Sequence, residues 1–151
     1  MTEQMKVAMD AMTQEALGAS MAQGAPQAAA LGFQFVSVGD GIGQIKVPWR
    51  EDLVGDPETG VIASGVITTL LDHCGGLAIR SAQQNFSGTA TLDLRIDYMR
   101  PAKVGRDVIG KAHCYKLTRS IAFLRAVAFE DDETDPVATA QGAFVLSGAP
   151  A

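Results

Sequence analysis

The chain has 151 residues, of which 47% are hydrophobic and 19% are charged. This length builds one domain with a hydrophobic core and is too short for two ordinary domains. With 12 basic and 17 acidic residues the formal charge is −5, and no basic run occurs, so the composition argues against nucleic acid as a partner.

The first predicted element is a helix over residues 2 to about 21. Met5, Met9 and Met12 recur there at helical spacing, and the sequence Gly-Ala-Pro at 24–26 is a stop signal. Charged residues interrupt this segment, so it lacks the apolar stretch of a signal peptide, and no apolar run reaches the ~18 residues of a membrane span. We therefore expect a packing helix, no membrane partner and a cytoplasmic location.

Two short strands are predicted next, at 33–38 and 42–47. The Gly-Asp-Gly sequence between them is a hairpin signal. A polar loop rich in breaker residues follows at 49–60. Trp49 in this loop either contacts a ligand or anchors the loop by packing, and we favour the anchor.

The segment 63–79 predicts a core helix that carries one carboxylate. Its apolar residues recur at the spacing typical of a buried helix face: Val66, Ile67, Leu70, Leu71, Cys74, Leu77 and Ala78. Asp72 lies outside this face, on a stripe of small residues. Because Gly75 and Gly76 each weaken a helix by about 1 kcal/mol relative to alanine, we expect a ligand or a second subunit to approach the backbone there.

Asp72 has two interpretations. A helix aspartate is ordinarily a solvated surface residue, whereas a carboxylate set beside aliphatic side chains suits a general base or a nucleophile, which we favour here. Asp72, His73 and Cys74 do not form a catalytic triad, because consecutive helix residues point about 100° apart. We expect His73 to be partly exposed and Cys74 to be a small core residue.

A long strand is predicted at 91–99, with an apolar face that alternates with a polar face. Three further strands are predicted at 106–117, 120–130 and 136–146. One apolar helix followed by antiparallel strands indicates an α+β domain whose curved sheet wraps the helix. The two cysteines lack metal-ligand spacing, so we expect no metal site and no cofactor.

Two motifs carry a family resemblance. Val-Ile-Thr-Thr-Leu-Leu-Asp at 66–72 is followed by Thr-Leu-Asp-Leu-Arg-Ile-Asp-Tyr-Met-Arg-Pro-Ala at 91–102 and then by Val-Gly at 104–105. Over roughly residues 31–147 the chain resembles the hotdog-fold acyl-CoA thioesterases of the phenylacetate-pathway type. The resemblance implies a hotdog fold, with a curved antiparallel sheet around one long central helix, and residues 1–30 as an added N-terminal helix and linker.

The resemblance also implies roles for four residues. Asp72 matches the catalytic helix acid of the family, and Ser64 matches the first glycine of its His-Gly-Gly start, whose backbone N–H polarises the thioester carbonyl. Gly65 matches the second glycine. Thr91 matches a Ser or Thr that orients the attacking water, although a strand threonine is also common for its β-propensity alone. The family histidine is Ala63 here, and Pro57 stands where some members have an asparagine.

Partners follow from the same resemblance. It implies acyl-CoA as substrate and sites at the interface of a homodimer, with a homotetramer as the assembled state. The CoA phosphates need cations, and the candidates at strand ends are Arg100, Lys103 and the turn of Arg119 and Ser120. Each of these is alternatively a solvated surface residue.

Three functions are open at this point. The first is a thioesterase acting on acyl- or aryl-CoA, with Asp72 as general base or nucleophile. The second is an acyl-thioester-binding protein with weak catalysis, which the replacements at Ala63 and Ser64 favour. The third is a hotdog hydratase or dehydratase, which needs a histidine paired with an acid. We favour the thioesterase.

Overall fold

The computed structural model describes residues 1–83 and 88–147. Its helices are α1 (Glu3–Gly24), α2 (Pro26–Leu31) and α3 (Ser64–Ala82), with a short 3-10 turn at Glu51–Leu53. Its strands are β1 (Gln34–Gly39), β2 (Ile42–Val47), β3 (Val54–Asp56), β4 (Val61–Ile62), β5 (Thr89–Tyr98), β6 (Val108–Leu117), β7 (Ile121–Phe129) and β8 (Ala138–Leu146). Every predicted helix and strand is therefore present, with ends within a few residues of those expected.

Six strands form one antiparallel sheet in the order β1-β2-β6-β7-β8-β5. Helix α3 packs across one face of this sheet, mainly on β2, β6 and β7. Its apolar face is buried there, with Leu70, Leu71 and Ile79 fully enclosed. Burying such a face against a sheet is the main stabilising contribution to the domain. The predicted α+β architecture, a sheet around a central helix, is confirmed.

The short helix α2, the 3-10 turn and strands β3 and β4 were not predicted. Pro26 begins the short helix α2, and Gly32 ends it with a positive φ of 73° that favours glycine. Six residues are too few to show a helical period, so the segment resembled a linker. The β3-β4 hairpin begins within the loop predicted at 49–60 and ends just after it, and the indole Nε1 of Trp49 donates to the carbonyl of Gly60 at 3.1 Å. That bond confirms Trp49 as an anchor of the loop.

A β-bulge near the start of β5 decides which face Thr91 occupies. Thr91 pairs with Phe144 of β8, Asp93 pairs with the preceding residue of β8, and Leu92 is the extra residue between them. Phe144 is buried on the helix side, in contact distance of Gly75. Thr91 therefore faces α3. Strict alternation placed it with Asp93 on the outer face, so the predicted face pattern is wrong at Thr91.

Helix α1 is attached to the domain at its C-terminal end. Residues 3–17 are exposed throughout, whereas Gly18 and Ala22 are buried. Gly18 lies against Phe35 of β1, where an added Cβ would come within 2.8 Å of the phenyl ring. Within 1–83 and 88–147, no helix combines the length and the apolar character needed to cross a bilayer.

Candidate active site

Asp72 and Thr91 meet directly. The Thr91 hydroxyl donates to Oδ1 of Asp72 at 2.6 Å, which joins the middle of α3 to the start of β5. The Asp72 side chain is partly buried and Thr91 is exposed. Among the residues that the structure describes, Asp72 accepts no other hydrogen bond, so its second oxygen is open to a ligand. Sequence analysis named both residues and expected Thr91 to act beside Asp72, but it did not predict that they meet within one chain, which depends on the bulge in β5.

A small cavity of about 150 Å³ lies beside this pair. Asp72 and Thr91 both line it, and most of its other lining residues are apolar. They include Met21 of α1, Leu77 of α3 and Phe144 of β8. A carboxylate at the edge of an apolar pocket fits a ligand that has an apolar tail and an electrophilic carbon next to it.

The glycine pair of α3 serves two different purposes. A Cβ at Gly75 would come within 2.7 Å of Leu124 and 2.9 Å of Phe144. The group that approaches the helix backbone at Gly75 is therefore the chain's own sheet, not a ligand or a second subunit. A Cβ at Gly76 would meet no atom within 4 Å, and Gly76 lines the cavity beside Asp72. Only the second glycine leaves room for a ligand.

The side chains that follow Asp72 point elsewhere, as expected for consecutive helix residues. His73 is partly buried, and its Nε2 lies 2.8 Å from the carbonyl oxygen of Met21. Cys74 is fully buried, and burial raises the pKa of its thiol to about 12. A thiol that stays protonated is a packing residue, so neither neighbour forms a relay with Asp72.

The N-terminus of α3 forms a second cluster of predicted site residues. Ser64 and Gly65 are exposed in its first turn, and Ala63 offers no side chain to cap that turn. The N–H groups of a first helical turn lack intrahelical acceptors, and the positive end of the helix dipole lies there. These groups can stabilise a developing oxyanion.

Tyr98 supports this helix start and was not named as a site residue from the sequence. Its hydroxyl donates to the carbonyl of Ser64 at 3.0 Å and lies 2.5 Å from Oγ1 of Thr68. Ser64 and Tyr98 also line a cavity of about 330 Å³. The sequence offered an aromatic residue at the end of a predicted strand, but alternation alone assigned it to the core. In the structure Tyr98 is half-exposed.

One chain does not bring the two clusters together. Ser64 precedes Asp72 by eight residues, which corresponds to about 12 Å along the helix axis. Thr91 and Tyr98 are separated in the same way along β5, by roughly 23 Å at the rise of an extended strand. A carbonyl held at Ser64 is therefore out of reach of Asp72 in the same chain.

Arg100 is held in an ion-pair cluster with Glu130. Its guanidinium donates to both carboxylate oxygens of Glu130, at 3.0 and 2.5 Å, and to the carbonyl of Asp135 at 2.7 Å. The backbone N–H of Lys103 also donates to Glu130, at 2.7 Å. Hydrogen bonding from Arg100 lowers the pKa of the buried Glu130 to about 2. This geometry fastens the segment after β5 to the end of β7.

The predicted phosphate contacts fall at opposite ends of the sheet. Arg100 lines the Ser64 cavity, and Lys103 follows in the same segment with an exposed side chain. The carbonyl of Ser120 accepts a hydrogen bond from the N–H of Leu146 at 2.8 Å, and Leu146 pairs with Thr89 of β5. The turn with Arg119 is therefore one strand away from the start of β5. The two groups thus flank the two clusters separately. Within the described ranges no three His, Cys, Asp or Glu side chains are grouped to hold a metal ion.

Comparison with known proteins agrees with this architecture. The family model of the thioesterase superfamily matches residues 59–137, which is more than half of the chain. The chain belongs to the thioesterase superfamily. The match spans α3, β5, β6 and β7, and therefore contains both clusters.

Individual relatives extend the match. A presumed esterase of Halobacterium salinarum is 33% identical over 122 residues, covering 76% of this chain and 80% of the relative. Human acyl-coenzyme A thioesterase 13 is 33% identical over 64 residues, but that alignment covers only 42% of this chain and 45% of the human protein.

Solved structures share the fold of this thioesterase-superfamily chain. A Pseudomonas aeruginosa protein is 33% identical with a TM-score of 0.80, over 87% of this chain and 98% of that one. The E. coli PaaI protein from the phenylacetic acid degradation operon has a TM-score of 0.77 over 90% of this chain and 93% of its own. At 18% identity this second likeness concerns the fold alone. The expected thioesterase family is confirmed by the family model, and the expected fold is confirmed by these structures.

Proposed function

We propose that this protein hydrolyses acyl-CoA thioesters to a free acid and CoA, with Asp72 as the catalytic carboxylate. The observation that carries the proposal is the hydrogen bond from Thr91 to Asp72 beside an apolar cavity. The bond holds one carboxylate oxygen in place and leaves the other for the reaction. Membership of the thioesterase superfamily supports the same chemistry.

Asp72 serves in one of two ways. As a general base it takes a proton from water, and the resulting hydroxide attacks the thioester carbon. As a nucleophile it attacks the carbon itself and forms an anhydride, which water then hydrolyses. In both routes a tetrahedral oxyanion forms and collapses with release of the CoA thiolate. Thr91 orients the reacting carboxylate or the water next to it.

The oxyanion needs donors that the same chain does not place near Asp72. We propose that a second subunit supplies them, from the N–H groups of Ser64 and Gly65 at the start of its α3. Strand β5 is an edge of the sheet in the described part of the chain, and its exposed Leu92 and Tyr98 are apolar. Such an edge pairs readily with another strand.

The register of such a pairing brings the two clusters together. In an antiparallel pair of β5 strands with the two-fold axis at Arg95, Asp93 lies opposite Asp97 of the other subunit. Because Leu92 is the extra residue of the bulge, Thr91 of one subunit then lies opposite Tyr98 of the other. Tyr98 is bonded to Ser64 of its own chain. Each site would then combine Asp72 and Thr91 of one subunit with Ser64 and Gly65 of its partner. A homodimer is the smallest assembly that meets this requirement, and a homotetramer pairs two of them.

CoA binding is part of the proposal. We assign its phosphates to cations near the site entrance, with Arg119 and Ser120 beside the Asp72 cluster and Lys103 beside the Ser64 cluster. Arg100 stands in the same region, but four of its hydrogen bonds go to Glu130, Asp135 and the carbonyl of Pro101. Its contribution to CoA binding is therefore smaller than that of Lys103.

The alternatives predict different outcomes. A binding protein with weak catalysis would retain affinity for acyl-CoA without turnover. A hydratase would need His73 beside Asp72, whereas His73 contacts α1. Thiol release from a panel of acyl- and aryl-CoA esters tests the proposal directly. We expect steady release of CoA from at least one ester, and binding without release across the panel would contradict it.

A further inference from the structure

The cavity beside Asp72 has a wall that comes from outside the matched family segment. Met21 lies in the last turn of α1, far before residue 59 in the sequence, and it is partly buried against the core. Met21 lines the cavity together with residues of α3 such as Asp72 and Gly76. Met9 and Met12, which lie earlier in the helix and are exposed, do not line this cavity.

His73 fixes the position of this wall. A carbonyl oxygen can only accept a hydrogen bond, so the contact of 2.8 Å requires a proton on Nε2 of His73 and the Met21 oxygen as acceptor. Met21 belongs to the last turn of α1, where the carbonyl groups have no following helical turn to donate N–H groups to them. The ring of His73 also packs at 5.9 Å from the ring of Phe33. The residue after the catalytic carboxylate thus holds α1 at the cavity.

The lining of the cavity combines polar and apolar residues. Asp72 and Thr91 bond to each other within it, and Met21, Leu77 and Phe144 are among its apolar residues. The open space over Gly76 widens it on the α3 side. A volume of about 150 Å³ is close to that of engineered apolar cavities that bind benzene.

We propose that this cavity receives the acyl group of the thioester, and that Met21, positioned by His73, ends it and limits the acyl length. The inference rests on the proposed thioesterase function and adds a substrate class to it: acyl groups of about six carbons, either a short chain or a single aromatic ring. Met21 is a specificity-determining residue, and His73 is a positioning residue that acts through it.

Two substitutions test the two sides of the cavity. In the full-length protein, Met21→Ala removes the end wall, and Gly76→Leu fills the space over α3. Each buried methylene is worth about a four-fold change in kcat/KM. We therefore expect Met21→Ala to raise kcat/KM for octanoyl-CoA relative to butanoyl-CoA about ten-fold. Gly76→Leu should lower kcat/KM for hexanoyl-CoA relative to acetyl-CoA by a similar factor.

Matched variants separate specificity from general damage. Met12→Ala removes an exposed methionine of the same helix and should leave the chain-length profile unchanged. His73→Ala should shift the profile toward longer chains, as Met21→Ala does, and the double variant should shift it no further. His73→Gln keeps a donor and should shift it less. A purely structural role of His73 would lower kcat/KM equally for all esters.

A second readout does not depend on turnover. Binding of S-alkyl-CoA thioethers, from ethyl to octyl, is measured by calorimetry on the same variants. If no ester is hydrolysed but the thioether length preference still follows Met21, the proposed hydrolysis fails and the acyl-cavity assignment stands. If esters are hydrolysed but substitution of Met21 or Gly76 changes neither the chain-length dependence of kcat/KM nor that of thioether binding, the acyl-cavity assignment is overturned and the thioesterase proposal stands.

Discussion

The hydroxyl of Thr91 donates to Oδ1 of Asp72 at 2.6 Å, and this bond links the central helix to the edge strand within one chain. It gives the carboxylate a defined orientation at the mouth of an apolar cavity. Preorganised geometry of this kind is what a catalytic carboxylate requires before substrate arrives.

The first prediction concerns the carboxylate. Asp72→Asn keeps the side-chain volume and removes the base, so kcat for CoA release should fall by a factor of about 10² to 10⁴. Asp93→Asn on the outer face of the same sheet is the control and should change kcat less than two-fold, roughly the effect of a surface substitution. Near-normal turnover in Asp72→Asn would rule out Asp72 as the catalytic acid.

The second prediction concerns the hydroxyl that holds Asp72. Thr91→Val is nearly isosteric but cannot donate, so kcat should fall by about ten-fold or more, because hydrogen bonds to charged groups are worth about 1.5–3 kcal/mol. KM should change less than kcat. Thr91→Ser restores the hydroxyl and should recover most of the loss. Steady-state kinetics that are equal for valine and threonine would leave Thr91 as a β-propensity residue only.

The third prediction tests the shared site. Ser64→Pro removes a backbone N–H at the first helical position, where proline is tolerated, and should inactivate the oxyanion site without unfolding α3. Mixing subunits of Ser64→Pro with those of Asp72→Asn should restore about a quarter of the wild-type rate, because half of the dimers are mixed and each has one intact site. Subunits are exchanged by refolding the two variants together.

The same assembly has a direct physical check. Light scattering on the active protein should give at least twice the chain mass of 15.8 kDa. An active species with the mass of a single chain, or a subunit mixture no more active than its parents, would contradict the shared site.

The fourth prediction concerns CoA. Arg119→Ala should raise KM for CoA esters several-fold, roughly the loss of one exposed charge contact to phosphate, and should weaken the salt dependence of KM. Arg125→Ala is the matched control, since Arg125 is exposed in the middle of β7, with its guanidinium 4.7 Å from the centre of the Tyr115 ring. If KM and its salt dependence are the same in Arg119→Ala and wild type, the turn at Arg119 and Ser120 does not contact the phosphates.

The fifth prediction concerns pH and the Arg100-Glu130 pair. Bonding to Arg100 lowers the pKa of Glu130 from 4.5 to about 2, so the ionised form stabilises the folded state by about 3 kcal/mol above pH 4.5. This contribution should be lost as the pH falls from 4.5 toward 2. Urea unfolding at several pH values measures it.

Glu130→Gln provides the test of cause. It leaves the partly buried Arg100 guanidinium without its main partner and should lower the free energy of unfolding at pH 7 by about 3–5 kcal/mol. It should also flatten the acid part of the pH profile. Glu133→Gln removes an exposed partner of Lys111 and should cost less than about 1 kcal/mol. An unchanged acid profile in Glu130→Gln would refute the assignment.

The sequence alone determined the elements and most of the core. Apolar residues that recur every three or four positions in 63–79 predicted α3. Alternation of apolar and polar residues between turn signals predicted the strands of the main sheet. Both patterns reflect local backbone geometry. The family motifs around Asp72 and Thr91 identified the superfamily and singled out these two residues as candidates for the site. These conclusions need only neighbours along the chain.

Only the tertiary structure decided how those residues are used. The bulge at Leu92 turns Thr91 toward Asp72, and a single extra residue in a strand leaves no signal in an alternating sequence. Gly75 and Gly76 are neighbouring residues of the same type, yet Gly75 packs against Phe144 and Gly76 lines a cavity. The ion pair of Arg100 joins residues 30 positions apart. Each of these depends on which distant segments pack together, which no local pattern specifies.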